Sequence, residues 1–425
     1  MIAWLLISFF VLLFLGVPIA MSLGLSAIGG ILFLGGGSTV TIAQRMFEGM
    51  NSFALLAIPL YTFAGFTMSK GGISKRLMDF CYSIVGHIYG GLAHVNVLSS
   101  MIFAGISGSA VADTAGVSGM FMPEMIRKGY SKNFTVAVTA ISSTIGIIIP
   151  PSIPMVVIAG ICGISTGKLF LGGIIPGILC GLAQMIVSYF LAKKEGVPKE
   201  PGHFTIGPVL HGLWESWPAL LMPIIIVGTI TMGIVSPTEA GVIAVVYGLF
   251  AGGIIYRELK WEDIKFAFAE TVRTSGRIFI VIGAAKLYTV MLTTAGFDKW
   301  VAKTMLGFST NPTVILIMIL LIFFIVTMFM ESIATLTLFM PILYPIALGV
   351  GIDPIVLSVL ITVVIGIGLV TPPVGMCIYV ACDLMDTTVG EVFPTLVPFI
   401  AATFVCIALM VAFPQLILLP TYLMA

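Results

Sequence analysis

The sequence predicts an all-α polytopic membrane protein: an inverted structural repeat with two re-entrant helical hairpins and two broken transmembrane helices. Three observations carry this expectation: a scarcity of charge, a series of long uncharged apolar runs, and motifs that recur at a constant offset. Of 425 residues, 59% are apolar and only 9% charged, whereas soluble domains carry about 25% charge because their surface faces water. Lipid therefore surrounds most of this chain. A net charge of +1 and the lack of any basic stretch point away from nucleic acid. The apolar mass, with 24 Met and 29 Phe, suits helices rather than the dyad alternation of an outer-membrane barrel.

A spanning helix needs roughly 20 apolar residues. Uncharged runs fall at 2–34, 54–69, 133–167, 169–192, 216–238, 240–256, 304–330, 332–352, 354–382 and 392–425, with a shorter run, 278–295, interrupted by Lys286. The first run has no Lys or Arg before Arg45, so it lacks the basic start of a signal peptide and reads as one long first membrane helix. The stretches 70–95 and 257–277 are amphipathic and too polar to span, which fits helices lying on the membrane surface. Cysteines at 81, 162, 180, 377, 382 and 406 show no metal-ligand spacing and read as small buried hydrophobes. His87 and His94 fall in an expected interfacial loop without a third ligand.

Lys and Arg mark cytoplasmic loops. Arg127, Lys128 and Lys132 precede 133–167, and Lys193, Lys194 and Lys199 follow 169–192. These two segments therefore form an in–out–in pair with its tip near 165–168. The pair 216–238 and 240–256 repeats the pattern, with Arg257, Lys260 and Lys265 at its cytoplasmic end and its outer tip near 236–239.

The recurrence is specific. Phe121-Met122-Pro123 returns 218 residues later as Phe339-Met340-Pro341, and the same offset pairs Asp113 with Glu331 and Thr114 with Ser332. At an offset of 222, Gly146, Pro150, Pro151, Ala159, Thr166 and Pro176 pair with Gly368, Pro372, Pro373, Ala381, Thr388 and Pro398. Leu60-Tyr61-Thr62 resembles Leu287-Tyr288-Thr289. The expected units are 1–212 and 213–425. Bases flank the first acidic hairpin and only Asp353 the second, so the copies enter from opposite sides, an architecture common in secondary transporters.

Three motif pairs carry chemistry. In 103–114, Ser107, Gly108 and Ser109 lead to Asp113. Small residues allow a tight turn at membrane depth if it is buried or lines a wet cavity. Its carbonyls and hydroxyls suit a hard monovalent cation; a small-residue packing surface fits the same pattern. The counterpart holds Glu331, Ser332 and Thr335. A carboxylate at the bilayer centre costs about 2.5–3.5 kcal/mol, so each acid caps a helix within its hairpin or serves an ion. The third pair is Gly146-Ile147-Ile148-Ile149-Pro150-Pro151-Ser152 and Gly368-Leu369-Val370-Thr371-Pro372-Pro373-Val374. Two prolines break a helix, freeing carbonyls for a cation and a half-helix N-terminus for a carboxylate. Lys286 snorkels to an interface, pairs with an acid, or faces a substrate carboxylate. No Walker glycine loop, catalytic triad or metal cluster is present, so the sequence does not read as an enzyme and implies no cofactor.

At 86–97, 102–124, 146–154 and 329–374 the sequence resembles the large membrane subunit of the TRAP (tripartite ATP-independent periplasmic) transporters, and the likeness covers essentially the whole chain. The resemblance implies a multi-pass subunit of the bacterial inner membrane. Its partners would be a small four-helix membrane subunit and a soluble periplasmic binding protein. The cargo would be an organic acid of the C4-dicarboxylate or sialic-acid type taken up with Na⁺, and the motion an elevator. It also implies one Na⁺ site at Ser107, Gly108, Ser109 and the carbonyls from Gly146 to Pro150. A second would lie at Ser332, Thr335 and the carbonyls from Gly368 to Thr371. The substrate would sit between the breaks, near Asp113, Pro151, Ser152, Glu331, Lys286 and Pro373. The sequence departs from the family pattern at Glu331, where many members carry Asp, and at Lys286, where a small residue is usual.

Ion coupling has an energetic reason. A dianion entering an inside-negative cell at 100 mV faces about 4.6 kcal/mol, so at least two cations must accompany it. Two other readings remain: a stand-alone ion-coupled organic-anion carrier, and a gated channel.

Overall fold

The computed structural model of the chain describes residues 1–34, 39–197 and 204–424. Lys199 lies outside the described residues. Those residues form helices and connecting turns, with no strand among them. The order is α1 (Ile2–Phe14), α2 (Ile19–Leu34), α3 (Thr39–Met50), α4 (Ala57–Lys70), α5 (Ile73–Val85), α6 (Gly91–Ser107), α7 (Ala110–Arg127), α8 (Lys132–Ser143), α9 (Ile153–Cys162) and α10 (Thr166–Lys194). There follow α11 (Ile206–Thr231), α12 (Pro237–Phe250), α13 (Trp261–Thr294), α14 (Phe297–Phe308), α15 (Pro312–Thr327), α16 (Ser332–Gly349), α17 (Pro354–Gly368), α18 (Met376–Asp383), α19 (Val389–Ala412) and α20 (Gln415–Leu418). Among the described residues, seven helical segments are long and apolar enough to cross a membrane.

The first halves of the two broken helices are the innermost elements. Every residue of α17 from Ile355 to Gly368 is buried, as is every residue of α8 from Phe134 to Ser143. A helix that is apolar all round, such as α17, can satisfy itself only inside other helices or lipid. The α8 helix carries hydroxyls instead, and those of Thr139, Ser142 and Ser143 are hydrogen-bonded. Asn96 of α6 donates to Thr139 Oγ1 at 2.7 Å and accepts from Ser142 at 3.1 Å, while Ser100 donates to Ser142 at 3.0 Å. Around this centre pack α6, α7, α10, α15, α16 and α19. The α13 helix runs alongside α2, α3, α4 and α16, and α4 pairs with α12.

Tips expected from charge and turn chemistry are found. Ser165 caps α10, and Ser236 with Glu239 forms a capping box at the start of α12. Several segment expectations are corrected. The run 2–34 is two packed helices, because Gly16 takes a left-handed φ of 81° and Pro18 stands before α2. The run 304–330 is divided at 309–311, where Asn311 caps α15 through the Thr313 amide and Pro312 opens it. The run 392–425 ends as a membrane helix at Ala412, ahead of Pro414.

The opposite happens at 257–277. This segment does not stop at an interface but continues through 278–295 as the single 34-residue α13. No proline interrupts it, and at 1.5 Å per residue it is about 51 Å long, so its polar first turns extend beyond the hydrocarbon. Within 70–95 only α5 is a separate amphipathic helix; His94 is not in a loop but buried in α6, its Nε2 3.1 Å from the Tyr89 carbonyl.

Candidate functional site: two hairpin tips on two helix breaks

The first hairpin is α6 and α7, joined by a tip of two residues. Gly108 makes the turn with a φ of 65°, open to glycine at little cost, and Ser109 caps α7 by accepting from the Ala112 amide at 3.4 Å. The tip rests on the first helix break. The Gly108 carbonyl accepts from the Ile153 amide at 3.1 Å, and a Cβ on Gly108 would lie 2.7 Å from the Pro151 carbonyl oxygen. The break runs from a single 3₁₀ turn, Thr144–Ile147, through Pro150 and Pro151 to Ser152, which caps α9 and donates to the Ile147 carbonyl at 2.5 Å.

Asp113 stands in the first turn of α7 with no exposure. Ser107 donates to its Oδ1, while its Oδ2 is buried without a hydrogen-bond partner among the described residues. That oxygen faces the break: a Cβ on Gly146 would stand 2.0 Å from it. Gly146 is thus a cradle that any side chain would fill. Ser107 and Gly146 stand against this carboxyl group with the Ser109 carbonyl beside them, while Gly108 meets the break at Pro151 and Ile153. Asp113, expected at the substrate, therefore sits with the residues expected to hold a cation. An orphan carboxylate oxygen among hydroxyls and turn carbonyls is an all-oxygen donor set fit for Na⁺.

The second hairpin is α15 and α16, with its tip at 328–331. Glu331 caps α16, its Oε2 accepting from Ile333 N at 2.9 Å and Ala334 N at 3.3 Å and its Oε1 from Ser332 at 2.7 Å. This tip also rests on a break, since the Met328 carbonyl accepts from Val374 N at 3.0 Å. A Cβ on Gly368 would stand 2.6 Å from Thr327 Cβ, where α15 ends. Thr335 and Thr371 each donate to the main-chain carbonyl four residues earlier, Glu331 at 3.1 Å and Ile367 at 2.7 Å. Their hydroxyl lone pairs are left for another partner.

The two breaks differ in cover: Pro151 and Ser152 are buried, whereas Pro373 and Val374 are exposed. Lys286 is not brought to either tip. It is exposed on α13 with its Cβ and Cγ packed on Gly49 of α3.

One residue escaped sequence reasoning. Cys377, the second residue of α18, is fully buried where α18 packs on α7 and α8, near Thr114 and Ser143. Its amide donates to Leu369 O at 2.9 Å across the second break. Its place two residues after Gly375, which takes a left-handed φ of 45°, was the available signal.

This geometry can be set beside known proteins. The family model described as "Tripartite ATP-independent periplasmic transporter, DctM component" matches residues 6–416. The chain belongs to that family. It is 35% identical over 408 residues to the sialic acid TRAP transporter large permease protein SiaM of Vibrio cholerae, covering 96% of this chain and 95% of that one. It is also 35% identical to the C4-dicarboxylate TRAP transporter large permease protein DctM of Pseudomonas aeruginosa, over 95% and 94% of the two chains. The isethionate TRAP transporter permease protein DctMQ of Oleidesulfovibrio alaskensis is 37% identical over 92% of this chain, which spans 62% of that relative's length. Among solved structures, the Alcanivorax borkumensis YdaH transporter matches with a TM-score of 0.60 at 13% identity, over 87% of this chain and 86% of that one. That last likeness is one of fold alone.

Proposed function

We propose that this DctM-family chain is the translocating large subunit of a sodium-coupled tripartite uptake system for a small organic acid. One observation carries the reading: in each half, a hairpin tip carbonyl is hydrogen-bonded to the backbone just past a proline pair, beside an acid of the hairpin. Each half thereby concentrates carbonyls, hydroxyls and a carboxyl group at one point inside an apolar body. Such a point suits a hard cation far better than it suits lipid or a packed core.

The two halves, 1–212 and 213–425, act as an inverted repeat. Support comes from the paired tips and breaks, and from two buried tyrosines at matched positions. Tyr61 donates to the Pro237 carbonyl and Tyr288 to the Leu5 carbonyl, each at 2.8 Å. One Na⁺ binds at Ser107, Ser109, Asp113 and the Gly146 turn, the other at Ser332, Thr335 and the 368–371 turn. The substrate lies between the breaks, next to Ser152 and Pro373. The relatives are named for sialic acid, C4-dicarboxylate and isethionate, all small organic anions, and this chain takes one of that class. The hairpins and broken helices move together against α1–α4 and α11–α13 as an elevator in the bacterial inner membrane. A small four-helix membrane subunit braces that scaffold, and a periplasmic binding protein delivers the cargo.

The test is uptake of labelled sialic acid, succinate and isethionate into liposomes holding the chain with its two partners, with and without an inward Na⁺ gradient. Uptake that needs both the gradient and the binding protein supports the reading. Equal uptake without the binding protein makes the chain a stand-alone carrier, and uptake indifferent to Na⁺ and poorly saturable makes it a channel.

A further inference from the structure

The second helix break is open where the first is covered. Pro373 is exposed and Val374 is 41% exposed, whereas Pro151 and Ser152 are buried. The break also lies deep. The α17 helix before it is buried from Ile355 to Gly368 and runs for about 22 Å, well into a hydrocarbon layer of about 30 Å. Non-helical backbone at that depth survives only if protein buries it or if it lines a water-filled cavity. Residues 369–375 are not helical, and the exposure of Pro373 and Val374 excludes burial. The opening is therefore a wet cavity and not a face turned to lipid.

Tyr379, one turn into α18, stands in that opening. It is 51% exposed, and its hydroxyl donates to the Pro373 carbonyl at 3.3 Å. Phe329 is exposed next to Met328, whose carbonyl accepts from the Val374 amide at 3.0 Å, so tip and break share the cavity wall. The matched position in the first half, 222 residues earlier, is Val157, which is fully buried. Lys132 Nζ donates to the Met385 carbonyl just past α18 at 3.4 Å, so the cavity follows α18 toward the basic, cytoplasmic end. Asp383, exposed one turn beyond Tyr379, makes that end of the wall acidic. No Lys, Arg or His occurs at 103–114, 144–155, 327–335 or 368–379, so recognition of an anion here falls to hydroxyls, amides and bound cations. We propose that Tyr379 is a substrate-binding residue: its hydroxyl turns from the Pro373 carbonyl to an oxygen of the acid's anionic group, while its ring covers the acid's carbon skeleton. The bond it gives up is longer than the usual O–H···O range of about 2.5–3.0 Å, so the exchange loses little. Asp383 repels the anionic group and holds it at the break end of the cavity. This rests on the cargo class, and on its place next to Pro373, proposed above.

The experiment uses the full chain with its partners in liposomes and has two arms. In the first, Tyr379→Phe keeps the ring and loses the hydroxyl. KM for whichever of sialic acid, succinate and isethionate the parent carries should rise at least fivefold, with maximal uptake and the half-saturating Na⁺ concentration within twofold. Tyr422→Phe, an exposed tyrosine near the C-terminus, should change none of these. A KM within twofold of the parent overturns the proposal. So does a fall in maximal uptake with a shifted Na⁺ requirement, which makes the hydroxyl a brace of the break. In the second arm, Tyr379→Cys is labelled by a water-soluble methanethiosulfonate, and Na⁺ with any acid of the three that binds slows labelling at least fivefold. Ile325→Cys on the exposed face of α15 stays unlabelled. Lack of labelling at 379 removes the wet cavity, and labelling that none of the three acids slows removes the substrate from it; either overturns the proposal. A parent that takes up none of the three acids refutes the transport reading, and the labelling arm still decides Tyr379.

Discussion

The amide of Ile153 donates to the carbonyl of Gly108 at 3.1 Å, tying the first hairpin tip to the chain just past a proline pair. Gly108 holds the tip in a left-handed turn, φ 65°, with Pro151 O where a Cβ would come within 2.7 Å. Gly108→Ala therefore combines backbone strain of about 1–2 kcal/mol with a collision against rigid backbone. Gly163→Ala is the control, since Gly163 has a similar φ of 68° but nothing within 4 Å. Thermal unfolding should show a larger loss for Gly108→Ala, and Na⁺-driven uptake should fall at least tenfold in that variant alone.

Asp113 is the residue whose charge transport should need most. Its Oδ2 has no hydrogen-bond partner among the described residues, and such a buried acceptor costs about 1–3 kcal/mol unless something supplies the missing contact. In the proposed cycle Na⁺ supplies it. Asp113→Asn keeps the shape and removes the charge, and it is expected to reduce Na⁺-dependent uptake a hundredfold or more. Ser107→Ala removes the donor to Oδ1 and should raise the half-saturating Na⁺ concentration several-fold. If both variants kept the parent's Na⁺ dependence, the first ion site would be misplaced.

Glu331 should behave differently despite its matched position. Both its oxygens are occupied at the start of α16, by Ser332 and by the amides of Ile333 and Ala334. Its present work is capping, and truncating a cap costs about 0.5–2 kcal/mol. Glu331→Gln retains an acceptor, so uptake within threefold of the parent and an unchanged melting temperature are expected. Glu331→Ala should lower the melting temperature by several degrees. A Gln variant that melts normally and no longer responds to Na⁺ would turn the residue from cap into ion ligand.

Much of this was legible in the residues, and the failures have physical reasons. Proline pairs and small-residue tips read clearly because each imposes a backbone constraint that no context removes. The turn at 15–18 escaped because an uncharged run hides a single Gly and Pro. The joining of 257–277 to 278–295 escaped for the converse reason: a polar helix end and an apolar helix middle look like two elements by hydropathy, although nothing breaks the backbone between them. Lys286 was misleading because sequence gives depth along a helix but not the face. Cys377 was silent because a buried thiol in an apolar run looks the same whether it packs one element's core or lies where elements of the two halves meet.

Lys286 supplies a prediction of little effect. Its side chain is exposed and its stem covers Gly49, so Lys286→Met retains the packing and loses only the charge. KM for the transported acid and maximal uptake should both stay within twofold. A tenfold rise in KM would bring the lysine to the substrate during the cycle.

Cys377 tests whether the two halves meet through one side chain. The thiol lies near Thr114 and Ser143, from the first hairpin and the first broken helix, although it belongs to the second broken helix, whose α18 packs on α7 and α8. Serine offers those hydroxyls a better partner in a slightly smaller volume, so Cys377→Ser should retain uptake within threefold. Leucine has no donor and is larger, and overpacking a closed site costs about 1–3 kcal/mol. Cys377→Leu should wedge α18 from α7 and α8, lowering uptake at least tenfold and raising the Na⁺ requirement, since Asp113 adjoins Thr114. Normal Na⁺ dependence in a folded leucine variant would place Cys377 outside the coupling between the halves. A loss in serine equal to that in leucine would instead make the sulfur itself the required atom.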